Sequence, residues 1–273
     1  MRAKLISAPY TIWMALFIIV PMGLVVFFAF TDRSGAFTLD NILRVGQYSN
    51  VFLRSIWLGA IATAISLLLG YPLAYTISKM KAKRQSVMIM LVMLPMWMNF
   101  LLRTYAWMSL LEDNGLINNM LAAIGLPRVH MINTAGAVVL GMVYNYIPYM
   151  ILPIYSVLTK IDNSVIEAAQ DLGANDRKVF LKVVLPMSMP GVISGITMVF
   201  VPAVSTFIIS KMLGGGGNLL IGDLIDMQFL GSAYNPNLGS AISLVLMVII
   251  LICMGIMNQF DDGDENMGGG MIL

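Results

Sequence analysis

Six stretches of this chain run for at least about 18 residues without a charged side chain, enough at ~1.5 Å per residue to cross most or all of a ~30 Å hydrocarbon core. They extend from Leu5 to Thr31, Ser55 to Ser78, Gln85 to Leu102, Met131 to Thr159, Val183 to Ser210 and Met227 to Phe260, and the third continues past Arg103 to Leu111. A backbone inside lipid must satisfy its own polar groups, and continuous apolar runs select helices over the alternating strands of a barrel. The expectation is an all-α transmembrane bundle of six helices, near 11–30, 55–78, 87–111, 135–158, 188–210 and 239–258. A content of 11% charged residues is roughly half that of a soluble domain, so residues 1–273 read as a single transmembrane domain. The first run is too long for a signal peptide and no small-x-small cleavage site follows it, so it is expected to stay as a span. The lone Cys253 can form no internal disulfide and says nothing about redox compartment.

The positions of the charges predict an orientation. If the N-terminus is cytoplasmic, the inner segments hold Arg2, Lys4, Lys79, Lys81, Lys83, Arg84, Lys160, Arg177, Lys178 and Lys182, and the outer ones Arg33, Arg44, Arg54, Arg128 and Lys211. That bias follows the positive-inside rule and puts both termini and the 160–186 segment in the cytoplasm; the acidic tail Asp261, Asp262, Asp264, Glu265 weighs little in such a rule.

The segment IDNSVIEAAQDLGANDRKVFLKVVLPMSMP, from Ile161 to Pro190, has a residue order that spanning a membrane would not require. Ser164-x-x-Glu167 reads as a capping box opening a short helix that runs to about Leu172, with Gly173 in the left-handed position that ends it. Asn175 or Asp176 then caps a second helix, expected to stop at Leu185–Pro186 because proline disfavours helical geometry in the residue before it. The result is helix, glycine turn, helix, with Val165, Ala169, Leu172, Val179 and Phe180 facing something other than lipid.

Glu167-Ala168-Ala169, Gly173-Ala174, Phe180, Val183 and Leu185-Pro186 resemble the "EAA" loop of importer-type ABC transporter permeases. That resemblance implies a six-helix, MetI-like permease bundle whose cytoplasmic coupling helix docks on a cytosolic ATPase dimer. It also implies a second homologous permease and an extracytoplasmic substrate-binding protein, in a bacterial cytoplasmic membrane. Further segments, LGYPLAY (69–75), LPMWMNFLLRTYAW (94–107), GMVYNYIPYMILPIYSVL (141–158) and GGGGNLLIGDLIDMQFL (214–230), resemble spermidine/putrescine permeases. Gly214 to Gly217 is followed by Asn218 and Leu219 where a phosphate-binding loop needs Lys and Ser or Thr, so ATP and Mg are expected on the partner ATPase and no cofactor on this chain. The glycine run itself reads as a flexible outer loop.

A polycation calls for carboxylates and aromatic faces, the latter contributing ~0.5–2 kcal/mol each. Candidate pathway aromatics are Trp97, Tyr105, Tyr144, Tyr146 and Tyr149, with Asn99 beside them; Trp97 and Tyr146 should lie deeper than Trp13, Trp57 and Trp107, which read as interfacial belt. Asn99, Arg103 and Trp107 recur every four residues on one face of the third span. Arg103 should face the bundle or snorkel outward; it would repel a cation and reads as structural or gating. Carboxylates are absent from the apolar part of every span, leaving Glu112 and Asp113 at a helix end and Asp223 and Asp226 in an outer segment, the last two sharing a face if helical. Pro95, Pro148, Pro153 and Pro202 should interrupt spans three, four and five. Gly191-x-x-x-Gly195 would let the fifth span approach a neighbour. The 24 methionines either form a deformable interface or stand in for leucine.

Ferric iron, sulfate or phosphonate compounds remain alternative cargo for a permease of this kind. A secondary transporter would need ionisable groups at mid-membrane, and an intramembrane enzyme a serine–histidine pair, a carboxylate dyad or a metal cluster; none can be assembled from this inventory. Nothing points to nucleic acid.

Overall fold

The computed structural model describes residues 9–268, apart from Thr11 and Ser232, and the side chains as far as residue 257. Asp261, Asp262, Asp264 and Glu265 therefore lie outside the described side chains. The architecture is helical, and among the described residues the only β pairing is an isolated bridge between Thr31 and Phe37.

Three helices form the centre: α3 (Ser49–Ser78), α7 (Ala135–Leu158) and α10 (Met189–Ser205). Their close packing is written in small residues. A β-carbon on Gly195 would lie 2.8 Å from Met150 Sδ, and one on Gly191 would lie 2.9 Å from the Pro153 carbonyl oxygen. The Gly191/Gly195 pair therefore faces α7, as its spacing predicts. Met142 and Met150 are wholly buried in α7, so methionine serves both as packing bulk and as the surface on which α10 rests.

Around this core, α1 (Ile12–Ala29) leans on α13 (Pro236–Gly268), together with the short α2 (Asp40–Val45). Helix α1 leaves nearly all its side chains exposed, as a span with lipid on most sides does.

Four helices, α1, α2–α3, α7 and α13, are each long and apolar enough to span alone, and two bent pairs bring the number to six if each pair is one span. The third apolar run is the first of these. Residues 87–111 are not one helix: α4 (Ala82–Trp97) stops, Met98 is extended, and α5 (Phe100–Leu111) departs after an 87° bend between the flanking helical stretches. Asn99 is the N-cap of α5, its side-chain oxygen accepting the N–H groups of Leu101 at 2.9 Å and Leu102 at 3.3 Å. Asn99, Arg103 and Trp107 therefore do not line one face of a continuous helix. A short helix, α6 (Leu116–Ala123), follows.

The second pair is α9 (Asp176–Met187) and α10, bent by 60°. The hydropathy of the fifth apolar run predicts one helix over 188–210, but α10 ends at Ser205, and α11 (Ile208–Leu213) and α12 (Ile221–Phe229) follow as separate short helices. Pro148 and Pro153, in contrast, sit inside an unbroken α7. A proline costs one backbone hydrogen bond but need not break a helix whose neighbours hold it in place.

Candidate functional site

One end of the bundle carries the helix–turn–helix. Helix α8 (Asn163–Asp171) is capped by Asp162, whose Oδ1 accepts the Ser164 N–H at 2.9 Å. The capping box on Ser164 is therefore displaced by an aspartate two residues earlier. The Ser164 N–H and, after it, the Ser164 hydroxyl hold the exposed Asp162 carboxyl below its ordinary pKa.

The helix ends as its sequence predicts, in a Schellman turn: Gly173 has φ +81°, the Gly173 N–H donates to Gln170 O at 2.8 Å and the Ala174 N–H to Ala169 O at 3.1 Å. Asn175 then caps α9 through the Lys178 N–H at 2.9 Å. Helix α9 does not stop at Leu185–Pro186. Phe180–Val184 form a π-helical turn and Leu185 keeps helical dihedrals, φ −62° and ψ −50°. The widened turn makes room for a proline ring that would otherwise clash with the carbonyl four residues back. The chain bends only at Ser188.

The two faces of this element differ. Ile166, Ala169, Ala174, Val179, Phe180 and Leu185 pack on the core with Tyr71, Ile154 and Leu158. Phe180 stands edge-on to two rings of α3, Tyr71 at 5.9 Å and Tyr75 at 5.3 Å. Ala169, Val179 and Phe180 thus face inward rather than outward. The outward apolar residues are Val165, Ala168 and Leu172, the last 90% exposed, with Glu167 and Asp171 beside them. Val183 is half-buried and Pro186 exposed. At the bend, Tyr71 Oη and Ser188 Oγ share a hydrogen bond of 2.8 Å. Gln85 ties the α3–α4 turn to α7: its Nε2 donates to Ser78 O and Met80 O, and the Tyr155 hydroxyl donates to its Oε1. Tyr71, Tyr75, Gln85 and Ser188 are invisible as partners in a one-dimensional reading, although "LGYPLAY" contains two of them.

The aromatic candidates do not converge on one cavity. Trp97 is 72% exposed at the end of α4, and Tyr105 and Tyr149 are also exposed. Tyr146 is half-buried, 6.5 Å from the Tyr149 ring. Tyr144 stacks edge-on against Trp107 at 5.4 Å, and both line an apolar cavity of about 710 Å³ between α3, α5 and α7. Trp107 is half-buried, whereas Trp13 and Trp57 are exposed. Arg103 faces the bundle: it is 8% exposed, lies over the Phe100 ring at 5.9 Å, and its Nε and Nη1 have no acceptor.

At the opposite end, Asp113 meets His130 at 2.8 Å on the surface. The glycine-rich run is tied down rather than flexible. Asn218 Nδ2 donates to Asn133 O at 2.9 Å and to Gly214 O, and Arg54 donates to Gly217 O and to Asn218 Oδ1. Behind this loop Asp223 is buried at 5% exposure; its Oδ2 accepts the Leu220 N–H at 2.9 Å, and its Oδ1 has no partner. Asp226 lies one turn on and accepts from Lys211 Nζ at 3.1 Å. Lys211, Asp223 and Asp226 together line a pocket of about 120 Å³.

The profile of binding-protein-dependent transport system inner membrane components matches residues 66–262. The spermidine/putrescine transport system permease protein PotB of Haemophilus influenzae is 38% identical over 250 residues, covering 88% of this chain and 87% of that one. The protein of the same name from Escherichia coli is 36% identical over 248 residues, covering 87% and 90%. A chain from the crystal structure of a bacterial ABC transporter involved in the import of the acidic polysaccharide alginate superimposes with a TM-score of 0.77 over 94% of each chain, at 21% identity.

Proposed function

Since this chain belongs to the binding-protein-dependent transport system inner membrane components, and is thus a multi-pass membrane permease of an ABC importer, we propose that its cargo is the polyamines spermidine and putrescine. The observation that carries the substrate class is identity of 36–38% to polyamine permeases over nearly nine-tenths of the chain. In this reading an extracytoplasmic binding protein delivers the polyamine, and this chain and a second homologous permease form the path between them. A cytosolic ATPase dimer, holding ATP and Mg, drives the cycle. Both termini and residues 160–186 lie in the cytoplasm, as the distribution of Lys and Arg favours.

The coupling residues are Glu167, Ala168, Ala169, Gly173, Ala174, Phe180, Val183, Leu185 and Pro186. Two jobs are divided among them. The outward face of α8 offers Val165, Ala168 and Leu172 to a groove on the ATPase, while Phe180 and Leu185 fasten the element to α3 and α7. ATPase closure then moves α9 and, through the bend at Ser188, α10. The pathway is assigned to Trp97, Asn99, Tyr105, Tyr144, Tyr146 and Tyr149 with Asp223 and Asp226. The exposure of Trp97, Tyr105 and Tyr149 suits a wall that the second permease completes.

Uptake of labelled spermidine and putrescine by membranes carrying the assembled transporter tests the cargo. Saturable, ATP-dependent uptake is expected, with no uptake of sulfate, phosphonate compounds or ferric iron. Uptake of one of those in place of either polyamine would overturn the assignment.

A further inference from the structure

The geometry points to the pocket formed by Asp223, Asp226 and the loop at Gly215–Gly216 as a binding site for a primary aliphatic ammonium group, held closed at rest by the ammonium of Lys211. This deepens the polyamine reading and rests on it for the identity of the amine. Three observations carry it. Asp223 lines the pocket at 5% exposure, and its buried Oδ1 has no hydrogen-bond partner. A buried carboxylate oxygen left unsatisfied is costly, and a cation that donates hydrogen bonds removes that cost. The second carboxylate, Asp226, is engaged by Lys211 Nζ at 3.1 Å, so one carboxylate of the pocket already pairs with an ammonium group.

The third observation is chemical. A lysine side chain is an ammonium on a four-carbon stem with three donors, which is one end of butane-1,4-diamine tethered to the protein. Lys211 is 67% exposed while Asp226 is 18% exposed, so the cation enters from the open side and can leave by it. A volume of about 120 Å³ is that of some four waters at ~30 Å³ each. It accommodates an ammonium head and its first methylenes, and the remainder of a longer amine would stay outside. An arriving amine displaces Lys211 from Asp226 and places its charge beside the buried Asp223 carboxylate. The tethered lysine thereby sets the concentration at which the pocket fills, because it is a competitor that never dilutes away.

The test uses the assembled transporter in lipid nanodiscs without ATP or binding protein, with putrescine as probe and butane-1,4-diol as the uncharged control. The readout is the putrescine concentration giving half the maximal rise in thermal midpoint. Lys211→Met should lower that concentration about tenfold, and Lys211→Arg should leave it near the unsubstituted value. Asp223→Asn and Asp226→Asn should each abolish the rise. The diol should have no effect. If Lys211→Met needs as much putrescine as the unsubstituted transporter, or if either asparagine variant keeps the full rise, the inference falls. Should Asp223→Asn fail to fold, Lys211→Met and Asp226→Asn decide it. A transporter that imports no polyamine but shows the Lys211→Met shift would end the cargo reading while leaving the ammonium pocket standing.

Discussion

Asp223 is buried behind the glycine-rich loop, one turn of α12 before the Lys211-paired Asp226. Its spacing from Asp226 correctly suggested a shared helical face, but nothing in the letters said that one carboxylate would be buried and the other paired. Burial depends on the glycine-rich loop folding over α12, and that loop is held by Asn218 and Arg54 from distant parts of the chain. Burial raises the Asp223 carboxyl above its ordinary pKa, against the opposing pull of Ser210, the Leu220 N–H and Lys211; Asp226 adds to the rise. The sign follows. The folded chain binds this proton more tightly than the unfolded one, so the associated stability is present below the ordinary value of about 3.9 and is lost as pH rises through the higher folded value. Amine binding runs the other way because it needs the carboxylate. Putrescine-dependent stabilisation should therefore weaken as pH falls through the raised pKa, and it should do so at higher pH than an unperturbed aspartate would require. A titration that stays flat down to about pH 4 would remove Asp223 from the site.

The elements were legible in proportion to how local their causes are. The turn at Gly173 and the cap at Asn175 depend on a few adjacent residues, and both stand where the sequence places them. The break at Met98–Asn99 was missed because the apolar run continues through it; hydropathy reports what lipid tolerates, not where a helix turns by 87°. The signal was present in Pro95 followed by Asn99, a helix-disrupting residue and then a strong N-cap. Inward packing of Val179 and Phe180 was missed for another reason: their partners, Tyr71 and Tyr75, are about a hundred residues away. In the proposed coupling element, the outward residues meant for docking are distinct from the inward ones that anchor it. Gly173→Pro, or a bulky residue at Ala168, should abolish ATPase association or coupling. Leu172→Asp should weaken ATPase co-purification while leaving the thermal midpoint of the permease pair unchanged, because Leu172 touches little of its own chain. Phe180→Ala should do the opposite, lowering the thermal midpoint at a cost below the about 3–5 kcal/mol of a fully buried ring, because Phe180 is partly buried. Transport that survives Gly173→Pro and a bulky Ala168 substitution together would show that this element does not couple.

For the whole molecule, the apolar runs specified a helical membrane protein and the polar segment at 160–186 specified its class, since both are patterns along the chain. What lay beyond them is three-dimensional: α3, α7 and α10 meeting over glycines, and the 160–186 element fastened to that core. The fastening has a thermodynamic consequence. With Phe180 between two tyrosines, Ser188 bonded to Tyr71 and the Gly173 turn closed by its own hydrogen bonds, the helix proposed to dock on the ATPase is already ordered in the chain alone. Association then pays little to order the chain and leaves more of the contact energy as affinity. Calorimetric titration of the ATPase dimer onto the permease pair should show a heat-capacity change matching the small face around Val165, Ala168 and Leu172, without the larger decrement that folding upon binding produces. A decrement of folding size would mean that the ATPase builds this helix rather than finding it.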